Sequence, residues 1–68
     1  MRKIDDIEQN NAEIVLDDDT VIKGYGLVVS ELPIGNGDRY EDFLDFVRDD
    51  GKIVSLQDGN IKSYRILE

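Results

Sequence analysis

Residues 13–29, EIVLDDDTVIKGYGLVV, decide the fold that the sequence predicts. Residues 14–16 are apolar and precede the acidic run 17–19, whose aspartates accept turn conformations because their side chains bond nearby backbone amides. The apolar residues after this run are almost continuous, which indicates a second strand that is buried on both faces over part of its length. Gly24 and Gly26 lack a Cβ atom and permit this strand to bend sharply. The stretch therefore predicts two antiparallel strands, of which the second is bent across a small barrel.

The chain on either side supplies a short helix and an irregular segment. Ile4 and Ile7 lie on one face of residues 3–10 with acids on the other, which predicts about two turns of amphipathic helix that dock through these isoleucines. The strand pattern breaks from Ser30, and Pro33 cannot donate to a sheet ladder. The longest irregular segment follows; it is the best candidate for a partner-binding loop, although a solvated connector with no role is the favoured interpretation. Its residues are Ile34, Gly35, Asn36, Gly37, Asp38 and Arg39.

Residues 39–50 fit two secondary structures. Their apolar residues fall at helical spacing, with a capping pattern before them and Gly51 as a stop. Asp50 and Gly51 also form a strong hairpin-turn signal, and the residues beyond it are strand-like. We favour the strand, since residues 42–49 can then pair with 52–57 across the turn; a helix would exclude a five-stranded barrel. The apolar residues concerned are Tyr40, Phe43, Leu44 and Val47.

Residues 61–67, IKSYRIL, follow a tight turn at 57–60 and are predicted to form the last strand. The alternation of side chains along a strand places Ile61, Ser63 and Arg65 on one face, and Lys62, Tyr64 and Ile66 on the other. We therefore expect one helix and five strands in a single domain over residues 1–68.

Composition limits which classes of function fit the chain. The 68 residues include no cysteine and no histidine, which excludes disulfides, thiol-based zinc sites and histidine-activated nucleophiles. Sixteen acids against eight bases give a net charge of −8, which repels phosphate backbones and anionic membranes. No apolar run approaches the ~20 residues of a membrane helix, and residues 1–10 lack the apolar core of a secretory signal. We expect a cytoplasmic protein with no membrane role.

Three candidate chemical sites have simpler structural explanations. Residues 17–19 offer carboxylates to a divalent cation, but three adjacent acids at a turn point in different directions, so a solvated turn is favoured. Carboxylate pairs such as Asp42 with Asp45 are expected by chance in so acidic a chain. The glycine pairs at 24–26 and 35–37 lack the third glycine or the Lys-Ser/Thr of a phosphate-binding loop. We expect no enzymatic activity, no metal and no cofactor.

Two short motifs give the chain a family resemblance. The first is the apolar run 14–16 followed by Asp18-Asp19 and then Ile22-Lys23-Gly24, and the second is residues 56–61, LQDGNI. With these motifs the chain resembles the Sm-like small β-barrels over most of its length. The resemblance implies a mainly β fold, a small five-stranded Sm/SH3-like barrel with a short N-terminal helix. It also implies that a homo-oligomeric ring can form by strand pairing between subunits.

The resemblance is weaker at the positions that bind RNA in this family. Gln57 and Asp58 stand where the family has Arg-Gly, and Ser30 stands where an Asp usually closes the second strand. Pro33 and Ile34 fall where a base-contacting Asn is expected. The resemblance therefore predicts the fold better than it predicts the ligand.

Three functions are compatible with these features. We favour a non-enzymatic interaction module that binds a protein partner, for example a basic, nucleic-acid-binding protein, because the chain is acidic and its sheet edges can accept a strand. The alternative is an Sm-type oligomeric RNA-binding protein with a local basic rim beside an aromatic residue. The same basic residues could instead offset neighbouring acids and protect the sheet edges from aggregation. A purely structural subunit is the third. The candidate RNA-binding residues are Lys52, Asn60, Lys62, Tyr64 and Arg65.

Overall fold

A computed structural model of the chain describes residues 2–67. The elements are α1 (Lys3–Ile7), β1 (Asn11–Leu16), β2 (Val21–Ile34), β3 (Arg39–Arg48), β4 (Ile53–Leu56), a 3₁₀ turn at Asp58–Asn60, and β5 (Ile61–Leu67). The five strands form one antiparallel sheet in the order β4-β3-β2-β1-β5. The predicted mainly β class, with five strands and a short N-terminal helix, is therefore confirmed.

The two edges of the sheet are β4 and β5. Within residues 2–67, β4 pairs with β3 and β5 pairs with β1, and the two edge strands do not pair with each other. Closure of the sheet into a barrel stays a prediction, since the described pairings stop at these edges.

The turn between β1 and β2 forms as the acidic run predicts. The Asp19 amide donates to the Leu16 carbonyl at 2.9 Å, and the Asp18 carboxylate accepts the Thr20 amide at 3.0 Å. The bond from Thr20 lowers the pKa of Asp18. All three aspartates of the turn are exposed. Local bonding of this kind is the reason that aspartate suits tight turns.

Residues 39–48 form the strand β3, which confirms the prediction of a strand for this stretch. The deciding feature is alternation with a period of two. Leu44 and Phe46 are fully buried, whereas Asp45 between them is only partly buried. The helical spacing of the apolar residues is therefore coincidental.

The strand β2 is longer than the sequence predicts. The predicted break at Ser30 is wrong, because β2 continues through Pro33 to Ile34 and pairs with β3 to its end. Within the described residues, β1 pairs with β2 over residues 21–25, so Pro33 lies on an edge where a missing backbone donor costs no ladder bond. The irregular segment shrinks to the turn at residues 35–38.

The helix α1 is shorter than predicted. Ile4 and Ile7 are buried as expected, but the helix ends at Ile7 and does not continue to residue 10. Gln9 adopts a left-handed φ of 63°, and the chain then bonds to the bent strand β2. The Gln9 amide donates to the Gly26 carbonyl at 2.7 Å, and the Gly26 amide donates to the Asn10 carbonyl at 3.0 Å. Bonding to β2 thus replaces the last helical turn.

Gly24 and Gly26 lie at close backbone approaches. A Cβ atom on Gly24 would lie 1.9 Å from the carbonyl oxygen of Val47, and one on Gly26 would lie 2.3 Å from that of Ile7. The register of β2 against β3 shifts between Gly26 and Val28, which marks a β-bulge. The irregularity therefore lies beside the glycines at which the sequence predicts a bend.

The alternation predicted for β5 is wrong at its first two residues. Val15 lies opposite Ser63 and Leu16 opposite Ile61, so Lys62 is an extra, bulged residue in β5. The bulge turns Ile61 into the core and leaves Lys62 exposed. A one-residue shift of this kind reverses the faces of the residues before it.

A single hydrophobic core joins the helix to all five strands. Removal of these side chains from water is the main favourable term in the folding of the chain. The buried residues are Ile4, Ile7, Ala12, Ile14, Ile22, Leu44, Phe46, Leu56 and Ile61.

Candidate protein-binding surface

The hairpin of β2 and β3 extends beyond the rest of the sheet. β1 pairs with residues 21–25 of β2, and β4 pairs with residues 44–47 of β3. Residues 30–34 and 39–43 pair with each other, and neither segment has a second neighbouring strand in the described part of the chain. We call these two segments, together with the turn 35–38 that joins them, the arm.

The six residues of the predicted partner-binding loop all lie at the tip of the arm. Ile34 and Arg39 face each other as the last pair of the ladder, and the Gly37 amide donates to the Ile34 carbonyl at 3.0 Å. Gly35 and Gly37 take positive φ angles of 60° and 84°. Five of the six residues are exposed, and Ile34 is half-buried. The structure therefore brings these residues together, but in a tight turn and not in a long loop.

Apolar side chains on the arm face solvent on both sides. Leu32 lies opposite Glu41, and Pro33 lies opposite Tyr40, so consecutive residues of β2 place an apolar group on each face of the ribbon. Tyr40 is 61% exposed and Leu32 is 42% exposed. Uncovered apolar residues on both faces distinguish the arm from the core half of the hairpin, where only one face is open.

The charge of the arm is strongly negative. It contains four carboxylates, at Glu31, Asp38, Glu41 and Asp42, and one base, Arg39. The Asp42 carboxylate accepts a hydrogen bond from the Arg2 guanidinium, which also bonds to Asp5 at 3.0 Å. These two carboxylates, Asp5 first, raise the pKa of Arg2.

A cleft of about 270 Å³ lies where the arm meets α1 and the 3₁₀ turn. At its base the Asp58 carboxylate accepts the Ile4 amide at 3.2 Å and lies 3.4 Å from the Lys3 ammonium. Burial opposes ionisation of Asp58, but these two donors outweigh it and lower the pKa of this carboxyl. The residues that line the cleft are Arg2, Ile4, Glu31, Tyr40, Glu41, Asp42, Gln57, Asp58 and Gly59.

Most carboxylates of the cleft are hydrogen-bonded within the chain. The Gln57 side-chain amide donates to the Glu41 carboxylate, so three of the four lining carboxylates already have partners within the chain, namely Glu41, Asp42 and Asp58. No group of three or more acids among residues 2–67 is arranged to hold a metal ion. A solvent-open wall with an exposed aromatic ring and several carboxylates suits a cationic group of a partner.

The candidate RNA-binding residues are not brought together. Lys52 precedes β4, whereas the other four belong to β5 or to the turn before it, at the opposite edge of the sheet. The Lys62 ammonium lies 2.6 Å from Asp19, and the Arg65 guanidinium lies 3.1 Å from Glu13. Both charges are therefore offset by neighbouring acids.

The two uncharged candidates have structural roles. The Asn60 side chain accepts the Gln57 amide at 2.9 Å and completes a capping box around the 3₁₀ turn. The Tyr64 hydroxyl donates to the Asp6 carboxylate at 2.7 Å, a bond that raises the pKa of Tyr64 and ties β5 to α1. Both side chains are therefore engaged in hydrogen bonds within the chain.

Leu32, Tyr40 and the acids beside them are the surface residues that sequence reasoning missed. A signal for them was present: residues 35–38, GNGD, form a short glycine-containing segment of the kind that joins the two strands of a hairpin. The proline at position 33 masked that signal, since proline usually argues against a strand.

Comparisons with known proteins assign no function to this surface. Neither a family model, nor a curated protein sequence, nor a solved structure matches the chain. Across residues 2–67, the structure has no helix of the length and apolar character that a membrane crossing requires.

Proposed function

We propose that the chain is a non-enzymatic protein-interaction module and that the arm is its binding surface. The observation that carries this proposal is the extension of the arm past the core with Leu32 and Tyr40 uncovered. A two-stranded ribbon has little stability of its own in water. Contact with a partner would bury both apolar residues, and burial of apolar surface favours association.

The proposed partner is a protein with a positively charged surface. A net charge of −8, with four carboxylates against one base on the arm, favours encounter with a cationic surface and opposes a polyanion. A nucleic-acid-binding protein presents such a surface and is one concrete candidate. We further propose the cytoplasm as the compartment, which agrees with a sequence that contains no cysteine.

The test is capture of partners from nuclease-treated lysate with the tagged chain and two double variants. The arm variant carries Leu32→Ser and Tyr40→Ser. The matched control carries Val21→Ser and Ile53→Ser, which remove apolar side chains of similar exposure, 55% and 63%, outside the arm. We expect that the wild type and the control variant retain the same partner and that the arm variant loses it. Capture of this partner should weaken at higher salt concentration.

Two outcomes would contradict the proposal. Retention of the partner by the arm variant would place the binding surface elsewhere. Loss of all bound protein after nuclease treatment, together with a ring-sized mass in light scattering, would favour the Sm-type RNA-binding alternative.

A further inference from the structure

We propose that the partner contributes an extended, positively charged segment that adds to the sheet as a strand along the open edge of β3 at residues 39–43. This inference rests on the proposed function, because it names how the arm binds and what it binds. Strand addition supplies affinity through backbone hydrogen bonds and specificity through alternate side chains.

The edge of β3 is open because β4 is short. β4 pairs with residues 44–47 of β3, and the chain then leaves the sheet through the 3₁₀ turn at Asp58–Asn60. In the described structure the next five residues of β3 therefore have no strand on that side. Five residues give an edge of roughly 16 Å, which matches a short peptide strand. An added strand would continue the line of β4.

The opposite edge of the arm is a poorer acceptor. Pro33 has no backbone amide to donate, and proline on an edge strand is a common block to further pairing. Nearer the core, the Glu8 carboxylate accepts the Val29 amide at 2.7 Å, so the edge of β2 is already occupied there. The two edges of the arm thus differ, and β3 carries the accessible one.

The charge beside the β3 edge selects a basic strand. Glu41 and Asp42 lie on consecutive residues of β3, and therefore on opposite faces, and Glu31 lies opposite Asp42. Glu41 bonds to the neutral Gln57 amide and keeps its negative charge on one face, whereas on the other face Arg2 offsets Asp42 and Glu31 supplies the carboxylate. On the cleft side, Tyr40 offers an exposed ring over which a lysine or arginine side chain can pack.

The same charges argue against a second copy of this chain as the occupant. Two arms that paired edge to edge would bring eight carboxylates and two bases together, four and one from each arm. Each copy also carries a net charge of −8. Like charges placed opposite each other across a strand pair are destabilising.

The test uses a synthetic peptide in which lysine alternates with valine and a matched peptide in which glutamate replaces lysine. Binding to the ¹⁵N-labelled full chain is followed by chemical shifts and by amide hydrogen exchange. We expect the lysine peptide to slow exchange at residues 39–43 and to leave residues 30–34 unchanged, and the glutamate peptide to have no effect. Protection at β2 or β5, or no binding by the lysine peptide, would overturn the inference.

Two further peptides separate strand addition from simple charge attraction. Each carries N-methyl groups on alternate backbone amides, in one phase or in the other, and both keep every lysine. Strand addition requires that one phase loses binding and the other keeps it, because alternate amides of an edge strand point toward β3. Equal binding by both peptides would overturn the proposed geometry.

Two double charge variants test whether binding of the lysine peptide depends on the acids of the arm or on the net charge of the chain. Glu31→Gln with Glu41→Gln is expected to weaken binding of the lysine peptide about fivefold, as loss of two exposed charge contacts predicts. Asp17→Asn with Asp49→Asn lowers the net negative charge equally, at exposed positions outside the arm, and is expected to weaken it less than about twofold. Equal effects would mean that net charge, and not the arm, attracts the peptide, and would overturn the inference.

The two proposals can fail separately. A partner that the arm variant loses, combined with no protection at residues 39–43, would leave the interaction module standing and refute strand addition. A partner that the arm variant retains would refute the arm as the binding surface, whatever the peptides do.

Discussion

The two halves of the β2–β3 hairpin have the same backbone pairing and opposite environments. In the core half, Leu44 and Phe46 are fully buried in the cluster that includes the isoleucines of α1, on a strand that lies between β2 and β4. In the arm, Tyr40 lies on the same strand and the same face as Phe46, and it is mostly exposed. Strand pairing alone therefore buries little of a side chain. The neighbours of a hairpin decide whether its residues form core or binding surface.

The boundary between the halves is set by where other elements end. β4 stops at Leu56, opposite Leu44, and β1 pairs with β2 only as far as Tyr25 within the described residues. α1 contacts the bend of β2 through Ile7 and Gly26. Past these limits the hairpin continues without a further neighbouring strand among the described residues. Three sets of variants test how the two halves differ, from the largest expected effect to the smallest.

The largest effect is expected from a methyl group at the bend. Gly24→Ala places a Cβ atom 1.9 Å from the Val47 carbonyl oxygen, inside the sheet, where only backbone can move away. We expect the free energy of unfolding to fall by more than about 4 kcal/mol, at the extreme end of single substitutions. Because a chain of this size has a stability of about 3 to 10 kcal/mol, urea unfolding should show a largely unfolded variant.

Alanine substitutions at two other glycines provide comparisons for Gly24→Ala. Gly26→Ala clashes with the Ile7 carbonyl at 2.3 Å, which undocking of α1 can relieve, so amides of α1 should exchange faster than those of the sheet. Gly59→Ala meets no atom within 4 Å and is the control, with an expected change within about 0.5 kcal/mol. Equal losses for Gly24→Ala and Gly59→Ala would contradict the close packing of the core half.

Aromatic truncations on β3 compare the halves directly. Phe46→Ala should cost about 3 to 5 kcal/mol, because it leaves a cavity in the core. Tyr40→Ala, six residues earlier on the same face, should change stability by less than about 0.5 kcal/mol. Urea unfolding of both variants under identical conditions would measure these two losses of stability. A large loss from Tyr40→Ala would show that the arm packs against the molecule, which would remove its role as a free surface.

Much of the core half could be predicted from the sequence. Residues 17–19 predict the first turn, the hairpin signal at Asp50-Gly51 favours β3, and two glycines predict the place of the bend. These signals are local, since turn chemistry and a period of two act within a few residues. The helix and the docking of Ile4 and Ile7 follow from the same kind of pattern.

The arm could not be predicted in full, because its properties depend on distant elements. Pro33 is compatible with a strand only where no neighbour needs its amide, and that depends on where β1 ends. The exposure of Tyr40 depends in the same way on the end of β4. The bulge at Lys62 arises from the fit of β5 to β1, and no residue near it signals the shift. The sequence therefore indicates the turn at residues 35–38 but not the strands that extend on either side of it.

The smallest effect concerns the contact that keeps α1 over the core half. Asp58 accepts the Ile4 amide and faces the Lys3 ammonium, and its pKa is lowered from the ordinary value of 3.8 in spite of partial burial. A lowered pKa means that the ionised form stabilises the fold at neutral pH. That stabilisation is complete above pH 3.8 and is lost as the pH falls through the folded-state pKa.

Asp58→Asn is therefore expected to reduce the free energy of unfolding by about 1 kcal/mol near neutral pH, as for one charge-assisted hydrogen bond. The difference between variant and wild type should shrink as the pH falls below 3.8, which urea unfolding at several pH values measures. Asp18→Asn is the control: Asp18 is exposed and accepts the Thr20 amide within its own turn, so its substitution should leave exchange at the Ile4 amide unchanged. If Asp58→Asn also leaves that exchange unchanged, the Asp58 carboxylate does not hold α1 in place. The buried isoleucines and the Tyr64–Asp6 hydrogen bond would then be the contacts that keep α1 on the core half.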